Sequence, residues 1–209
     1  MQLATWQSER LQQTYADLLA SQRYEVPARY FLSDLYGPKD YTQRDQQVER
    51  VYNKARKLLP EHMVKPLADA LAMNVLSQAL DILLFINLFD TMGIDRIDVD
   101  SYVAAYRRCD NYALRCRQIG LIRSIGHELD SVVRKPLLGI LLRMSRGPAH
   151  LAGLGELQQA LERGFDAFKG MRGADEFVAI IVEREQRILQ RIYAGDPQPF
   201  APEEDRTVS

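Results

Sequence analysis

The sequence predicts an all-α protein, a single-domain helical bundle of about seven or eight helices. Apolar residues recur at three- and four-residue spacing along most of the 209 residues, and no alternating stretch is long enough for a strand. Hydrophobic residues make up 46% of the chain and charged residues 26%, the balance of a globule with a sizeable core. Because no internal repeat or long linker is visible, we expect one helical domain, residues 1–195, and a disordered, acidic, proline-containing tail, residues 196–209.

The first half of the chain predicts four helices. An amphipathic helix over residues 3–22 precedes a short one over residues 27–37, since a proline suits its first turn and a glycine-proline pair ends it. A threonine cap begins the next helix, residues 42–59. Residues 63–92 form the fourth, and its run 82–89 is the most apolar of the chain. We therefore expect this helix at the centre of the bundle, buried on nearly all sides.

The second half predicts four more helical segments. Asp98 or Asp100 can cap a long helix that extends to about residue 134, with an interruption near residues 110–111 left open. Pro136 then allows a fresh start or a kink. The remaining helical segments are residues 137–144, 156–169 and 175–193, with a glycine-rich connection over residues 147–155. The long helix is expected to pack along residues 63–92.

Residues 29–45, RYFLSDLYGPKDYTQRD, form the most distinctive motif, and its residues have local structural roles rather than chemical ones. The motif resembles the aromatic-Phe-Leu, Leu-Tyr-Gly-Pro, Asp and Arg-Asp pattern of a family of uncharacterised bacterial proteins, one of the domains of unknown function. The resemblance continues through residues 143–155 and 164–171 into the C-terminal helix. It implies a bacterial origin and a helical fold, and it brings no activity, cofactor or catalytic residue.

The chain predicts a cytoplasmic protein. Its first residues, MQLATWQSER, lack the charged and apolar regions of a secretory signal. The apolar run 82–89 is far shorter than the roughly 20 residues of a spanning helix, so we expect no membrane association. Cys109 and Cys116 lie too far apart along one predicted helix to form a disulfide, which fits a reducing compartment.

Motifs for metal or nucleotide chemistry are missing. No histidine has a glutamate three residues before it, as a di-iron bundle requires. His127 and Glu128 begin like a zinc-protease helix, but Ser131 occupies the position of the second histidine. The two cysteines lack zinc spacing, and neither nucleotide fingerprint is present. We therefore predict no metal, no cofactor and no catalytic residue, and the sequence leans against an enzyme.

Asp81, Arg123 and His127 are the first candidate ligand-binding residues. A carboxylate in the most apolar helix must be paired, protonated or turned to a cavity, and Arg115 or Arg123 is the partner we expect for Asp81. His127 shares a helix side with Arg123, and an acid one or three residues further on can orient its ring. Two interpretations remain open: a row of structural ion pairs, or a ligand pocket between the central helices.

Arg143, Arg146 and His150 are the second candidate group. They surround the glycine-rich residues 147–155, whose backbone N–H groups can bind an anion, although a plain corner between helices explains the same residues. Residues 107–146 carry nine basic side chains against three acidic ones, a local excess of +6. No nucleic-acid reader motif accompanies this charge, so we expect these arginines to pair with acids of other helices rather than bind nucleic acid.

The strongest motif is architectural, and this favours a non-catalytic cytoplasmic interaction or regulatory protein, a homodimer or one with a protein partner. The alternative is a small-molecule binding protein or enzyme with a pocket between the central helices. Its ligand would be anionic, or a tetrapyrrole with His127 as axial ligand.

Overall fold

The computed structural model describes residues 2–35, 61–135 and 137–202, and within these ranges the chain forms ten α-helices, two π-helical segments and no strand. The helices are α1 (Gln2–Thr14), α2 (Ala16–Ala20), α3 (Glu25–Tyr30), α4 (Glu61–Phe85), α5 (Val99–Arg108), α6 (Tyr112–Val133), α7 (Leu138–Met144), α8 (Arg146–Leu151), α9 (Gly155–Met171) and α10 (Asp175–Ala194). The π-helical segments, Phe31–Leu35 and Ile86–Thr91, continue α3 and α4. The predicted all-α class is confirmed.

Helix α6 lies at the centre of the bundle. It packs along α4 and along α10, and α9 also contacts it. Gly126 permits the close approach of α6 to α10, since a Cβ atom on this residue would lie too close to the Val178 side chain. The prediction that residues 63–92 form the central helix is wrong, because α6 buries side chains on several faces whereas α4 buries one.

Helix α4 is buried on one side only. Leu80, Leu84 and Leu88 are fully buried, whereas Val75 and Ile82 on the opposite face are exposed, so the expected burial on nearly all sides is wrong. By length and composition alone, the helical stretch Val64–Thr91 would suffice to cross a membrane, and 22% of its most apolar window is buried inside the protein. A core helix passes the same test, but α4 keeps an apolar face that the described residues leave uncovered.

Helix boundaries follow local chemistry. Asp98 caps α5, because its Oδ1 accepts a hydrogen bond from the Ser101 backbone N–H at 2.8 Å and Ser101 Oγ accepts one from the Asp98 N–H at 3.0 Å. Asp110, with φ of 46°, separates α5 from α6. Gly195, with φ of 81°, ends α10. The cap at Asp98 and the interruption near residues 110–111 are thus confirmed.

Other boundaries differ from the prediction. Residues 3–22 form two helices, because Tyr15 leaves helical geometry and buries its ring against Phe31, with the ring centroids 5.8 Å apart. The glycine-rich residues 147–155 include most of α8. The predicted helix 42–59, most of the motif 29–45 and Pro136 lie outside the described residues.

Residues 196–202 pack against the bundle. Arg191 donates hydrogen bonds to the backbone carbonyls of Gln198 at 2.6 Å and Ala201 at 2.8 Å. The Phe200 ring meets the ring of Trp6, with centroids 6.0 Å apart. Hydrogen bonds from Arg191 and the contact of the Phe200 ring therefore hold residues 196–202 of the predicted tail on the core. Residues 203–209 lie outside the described residues.

Candidate functional site

One face of α4, continued by the first residue of the π-helical segment, carries a row of uncharged side chains at alternating spacings of four and three residues. We call it the α4 stripe, and its members are Ala68, Ala72, Val75, Ala79, Ile82 and Ile86. Val75 is 47% exposed, Ile82 53% and Ile86 41%, and the flanking Leu83 and Phe85 are also exposed. A continuous apolar row of this kind marks an interaction surface more often than an ordinary solvated face.

Polar contacts on its other sides fix how α4 lies on α6. Gln118 Nε2 of α6 donates a hydrogen bond to Ser77 Oγ at 2.7 Å. At the start of α4, Lys65 Nζ lies 2.6 Å from Glu128 Oε1 and 3.2 Å from Asp69 Oδ2. Hydrogen bonds to Glu128 and Asp69 raise the pKa of Lys65. These contacts hold the α4 stripe on the side that faces away from α6.

Asp81 lies at the edge between α4 and α1. Its Oδ1 accepts a hydrogen bond from Gln7 Nε2 at 3.0 Å, so the closest partner is an amide of α1. Burial raises the pKa of the Asp81 carboxyl, while the Gln7 hydrogen bond and the Arg115 charge lower it. Of the two predicted arginine partners, Arg115 is the one that acts on Asp81, and it does so through its charge.

A buried ion pair joins α1 to α10. Arg10 Nη1 lies 3.0 Å from Glu185 Oε1, and the Tyr15 hydroxyl donates to the same oxygen at 2.8 Å. Burial alone would lower the pKa of Arg10, but the charge and hydrogen bond of Glu185, together with Tyr102 and Tyr15, outweigh burial and raise this pKa. Arg10 therefore stays charged inside the protein, and Glu185 is the group that compensates it.

A small cavity lies beside this ion pair. Arg10, Tyr102, Tyr106, Arg115 and Glu185 are among its lining residues, and about 20 Å³ is open to a water-sized sphere. The Arg115 guanidinium stacks over the Tyr106 ring at 4.4 Å from its centroid. Burial raises the pKa of the Tyr106 hydroxyl, despite the opposing effect of the Arg115 charge. The cavity has room for about one water molecule, which is far below the volume of a metabolite pocket.

Asp81, Arg123 and His127 are not brought together. His127 is half exposed on α6, and its Nδ1 lies 3.2 Å from Asp175 Oδ1 at the start of α10. Arg123 is exposed on the same helix, about two turns beyond Arg115, whose charge acts on Asp81. The acids predicted to orient His127 have other partners, since Asp130 binds Ala174 N and Arg134 while Glu128 binds Lys65.

The second candidate group, Arg143, Arg146 and His150, lies in or next to α8. The three side chains do not form one positively charged site. Arg146 forms a two-pronged ion pair with Glu162, and this contact lowers the pKa of the Glu162 carboxyl. Arg143 Nε donates to the Gly139 carbonyl at 3.3 Å. His150 is exposed. Part of the basic excess of residues 107–146 is thus matched by acids of other helices, as with Arg146, and anion binding at α8 remains a prediction.

The donors needed for a metal centre do not gather in the part of the chain that the structure describes. No group of three histidine, cysteine, aspartate or glutamate side chains there could hold an ion. Cys109 is half buried and Cys116 exposed, and both are free thiols. Burial raises the pKa of the Cys109 thiol, which argues against an activated nucleophile at that position.

The fold and these sites define, over the described residues, an all-α bundle protein with a buried polar cluster and with exposed apolar side chains on α4 and on α7. The chain belongs to the family described as a domain of unknown function, DUF8198, whose model matches residues 1–199. No curated protein and no solved structure matches it. The predicted membership of an uncharacterised family is therefore confirmed, and the family adds no activity to the geometry.

The sequence analysis missed the α4 stripe as a surface. Its signal was present in the regular four-three spacing of uncharged residues from Ala68 to Ile86. The apolar residues on the rest of α4 obscured this pattern. A helix that is apolar on both faces shows no polar side from which exposure can be predicted.

Proposed function

We propose that this protein is a non-catalytic cytoplasmic interaction module, and that it binds a protein partner through the α4 stripe. The observation that carries this proposal is the exposed, uncharged face of α4 over residues 68–86. Exposed apolar side chains in one row cost free energy in water, and covering them with a partner recovers it.

The partner that fits is an apolar α-helix. The stripe is about 27 Å long for 18 residues, Ala68 and Ala72 form a low N-terminal part, and Ala79 leaves a shallow depression between Val75 and Ile82. Such a surface accepts the ridge of another helix more readily than a loop or a strand, whose backbone polar groups would be left unpaired against it.

The interior of the bundle supports an interaction role over a small-molecule role. Two polar side chains that line the cavity have partners inside the bundle, Arg10 with Glu185 and Gln118 with Ser77. The cavity between them has room for about one water molecule. His127, the proposed axial ligand of a tetrapyrrole, lies on the surface against Asp175 rather than in an apolar pocket.

Site-specific photocrosslinking in living cells tests the proposal. A photoreactive phenylalanine analogue at Ile82 should give a discrete covalent adduct with a protein, and a second substitution, Ile86→Glu, should reduce that adduct at least about tenfold. The same analogue at Gln190, an exposed polar position on α10, is the matched control. Equal labelling at positions 82 and 190, or labelling of position 82 that Ile86→Glu leaves unchanged, would contradict the proposal.

A further inference from the structure

We propose that the partner on the α4 stripe is a second copy of this chain, bound with its own α4 antiparallel across a two-fold axis near the level of residue 77. This inference rests on the proposed function, and it adds the identity and orientation of the partner. In a two-fold interface the same surface serves both copies, so the stripe must be complementary to itself.

The order of small and large side chains along the stripe, Ala68, Ala72, Val75, Ala79, Ile82 and Ile86, provides this self-complementarity. An antiparallel pairing centred at residue 77 places Ala72 opposite the partner's Ile82, and Val75 opposite the partner's Ala79. The outer layer places Ala68 opposite the partner's Ile86. Each layer thus joins one alanine to one larger residue, which lets two helix axes approach to about 8 Å without leaving voids.

The spacing of the stripe is also that of a helix pair. Intervals of four and three residues repeat without a break from Ala68 to Ile86, which is the pattern of core positions in left-handed pairs crossing at about 20°. The core positions of such a helix pair are called a and d. In an antiparallel pair each a position of one helix faces a d position of the other helix. The pairing of Ala72 with the partner's Ile82 obeys this rule, as does that of Val75 with the partner's Ala79.

The sizes of the side chains favour the antiparallel over the parallel arrangement. Parallel helices would stack Ile82 on the partner's Ile82 and leave Ala79 facing the partner's Ala79 across a gap.

The stripe alone is narrow for a stable dimer, which needs about 800 Å² of buried surface on each partner. The flanking residues supply the extra width. Leu83 is 41% exposed and Phe85 46% exposed, and they lie on opposite sides of the stripe. In the antiparallel arrangement Phe85 approaches the partner's Leu71, so the contact extends beyond the row of six residues.

Disulfide trapping between two differently tagged chains tests this arrangement. Both chains carry Cys109→Ser and Cys116→Ser, one carries Ala72→Cys, and the other carries Ile82→Cys. We expect a disulfide between the two kinds of chain and little between chains of one kind, because like positions lie about 15 Å apart in the antiparallel pair. Cross-links between chains of one kind only would indicate parallel helices and overturn the proposal.

Two surface substitutions separate this inference from the proposed function. Ile82→Glu should weaken self-association at least about 100-fold, because the two-fold axis places the new charge in the interface twice. Val26→Glu, at an exposed apolar position on α3, should leave self-association unchanged. A monomer that gives an adduct of different mass in the cell would overturn the second copy as partner while the proposed function stands.

Three further outcomes would also overturn the second copy as partner. The wild-type chain could bind neutral phosphatidylcholine vesicles through the stripe, with loss of binding in Ile82→Glu. A photoreactive group at position 82 could label residues 36–60 of its own chain. In the first of these outcomes a lipid surface covers the stripe, and in the second a segment of the same chain covers it. A wild-type chain that stays monomeric at high micromolar concentration and gives no adduct in the cell contradicts both this inference and the proposed function.

Discussion

Arg10 and Glu185 join the first and last helices of the described chain through an ion pair, with Nη1 and Oε1 3.0 Å apart. The two side chains are 12% and 11% exposed, so this ion pair connects the two helices in the protein interior rather than at its surface. A buried charge depends on its partner, because the interior solvates it poorly.

Removing Glu185 should therefore destabilise the protein strongly. We expect Glu185→Ala to lower the free energy of unfolding by about 3–5 kcal/mol in urea titrations, since Arg10 is left buried and uncompensated. Glu183→Ala, at an exposed position of the same helix, should change it by less than about 0.5 kcal/mol. Equal effects of the two substitutions would contradict this role of the ion pair.

Two glycines of α6 should respond oppositely to alanine. A Cβ atom at Gly126 would lie within 2.4 to 3.4 Å of Val178 side-chain carbons, whereas nothing lies within 4 Å of one at Gly120. Gly126→Ala should thus lower the free energy of unfolding by about 1–3 kcal/mol. Gly120→Ala should raise it by about 0.5–1 kcal/mol, because alanine favours the helix. Thermal unfolding measures both, and a stabilising Gly126→Ala would contradict the close packing of α6 on α10.

Asp81 should make stability depend on pH. Burial raises its pKa above 3.8, so the folded protein binds this proton more tightly than the unfolded chain. The resulting stabilisation is fully present below pH 3.8 and is lost as the pH rises through the raised pKa. Asp81→Asn should consequently be more stable than the wild type at pH 7, with a difference that shrinks towards low pH. Urea titrations across this range measure it, and an Asp81→Asn variant less stable at pH 7 would refute it.

Phe200 should report on the segment 196–202. Its ring contacts Trp6, which is the single tryptophan of the chain, so all of the tryptophan fluorescence comes from this site. Phe200→Ala should shift the emission to longer wavelength as water reaches the indole, and it should cost about 1–3 kcal/mol of stability. Pro202→Ala, at an exposed position, is the control. Unchanged emission in Phe200→Ala would place residues 196–202 away from the core.

The sequence predicted the fold class and several boundaries because these depend on local chemistry. The Asp98 cap and the interruption near residues 110–111 follow from side chains within one turn of the backbone they affect. The division of residues 3–22 at Tyr15 did not follow, because the cause is a ring and a hydroxyl that contact Phe31 and Glu185 elsewhere in the chain.

The site was harder to predict than the fold for a physical reason. The pairs of His127 with Asp175 and of Arg146 with Glu162 join residues 48 and 16 positions apart, and helical spacing carries no information about such contacts. Exposure of the α4 stripe was equally invisible, since an apolar residue in a sequence looks the same whether its own chain or a partner covers it.

The mass of the protein in solution tests the central claim most directly. The chain has a mass of 24.0 kDa, and we expect sedimentation velocity at micromolar concentration to give twice this value for the wild type and for Val26→Glu. Ile82→Glu should sediment at 24.0 kDa with an unchanged circular dichroism spectrum. A wild-type mass of 24.0 kDa across this range, or a dimer that Ile82→Glu leaves intact, would contradict the claim that the α4 stripe joins two copies of the chain.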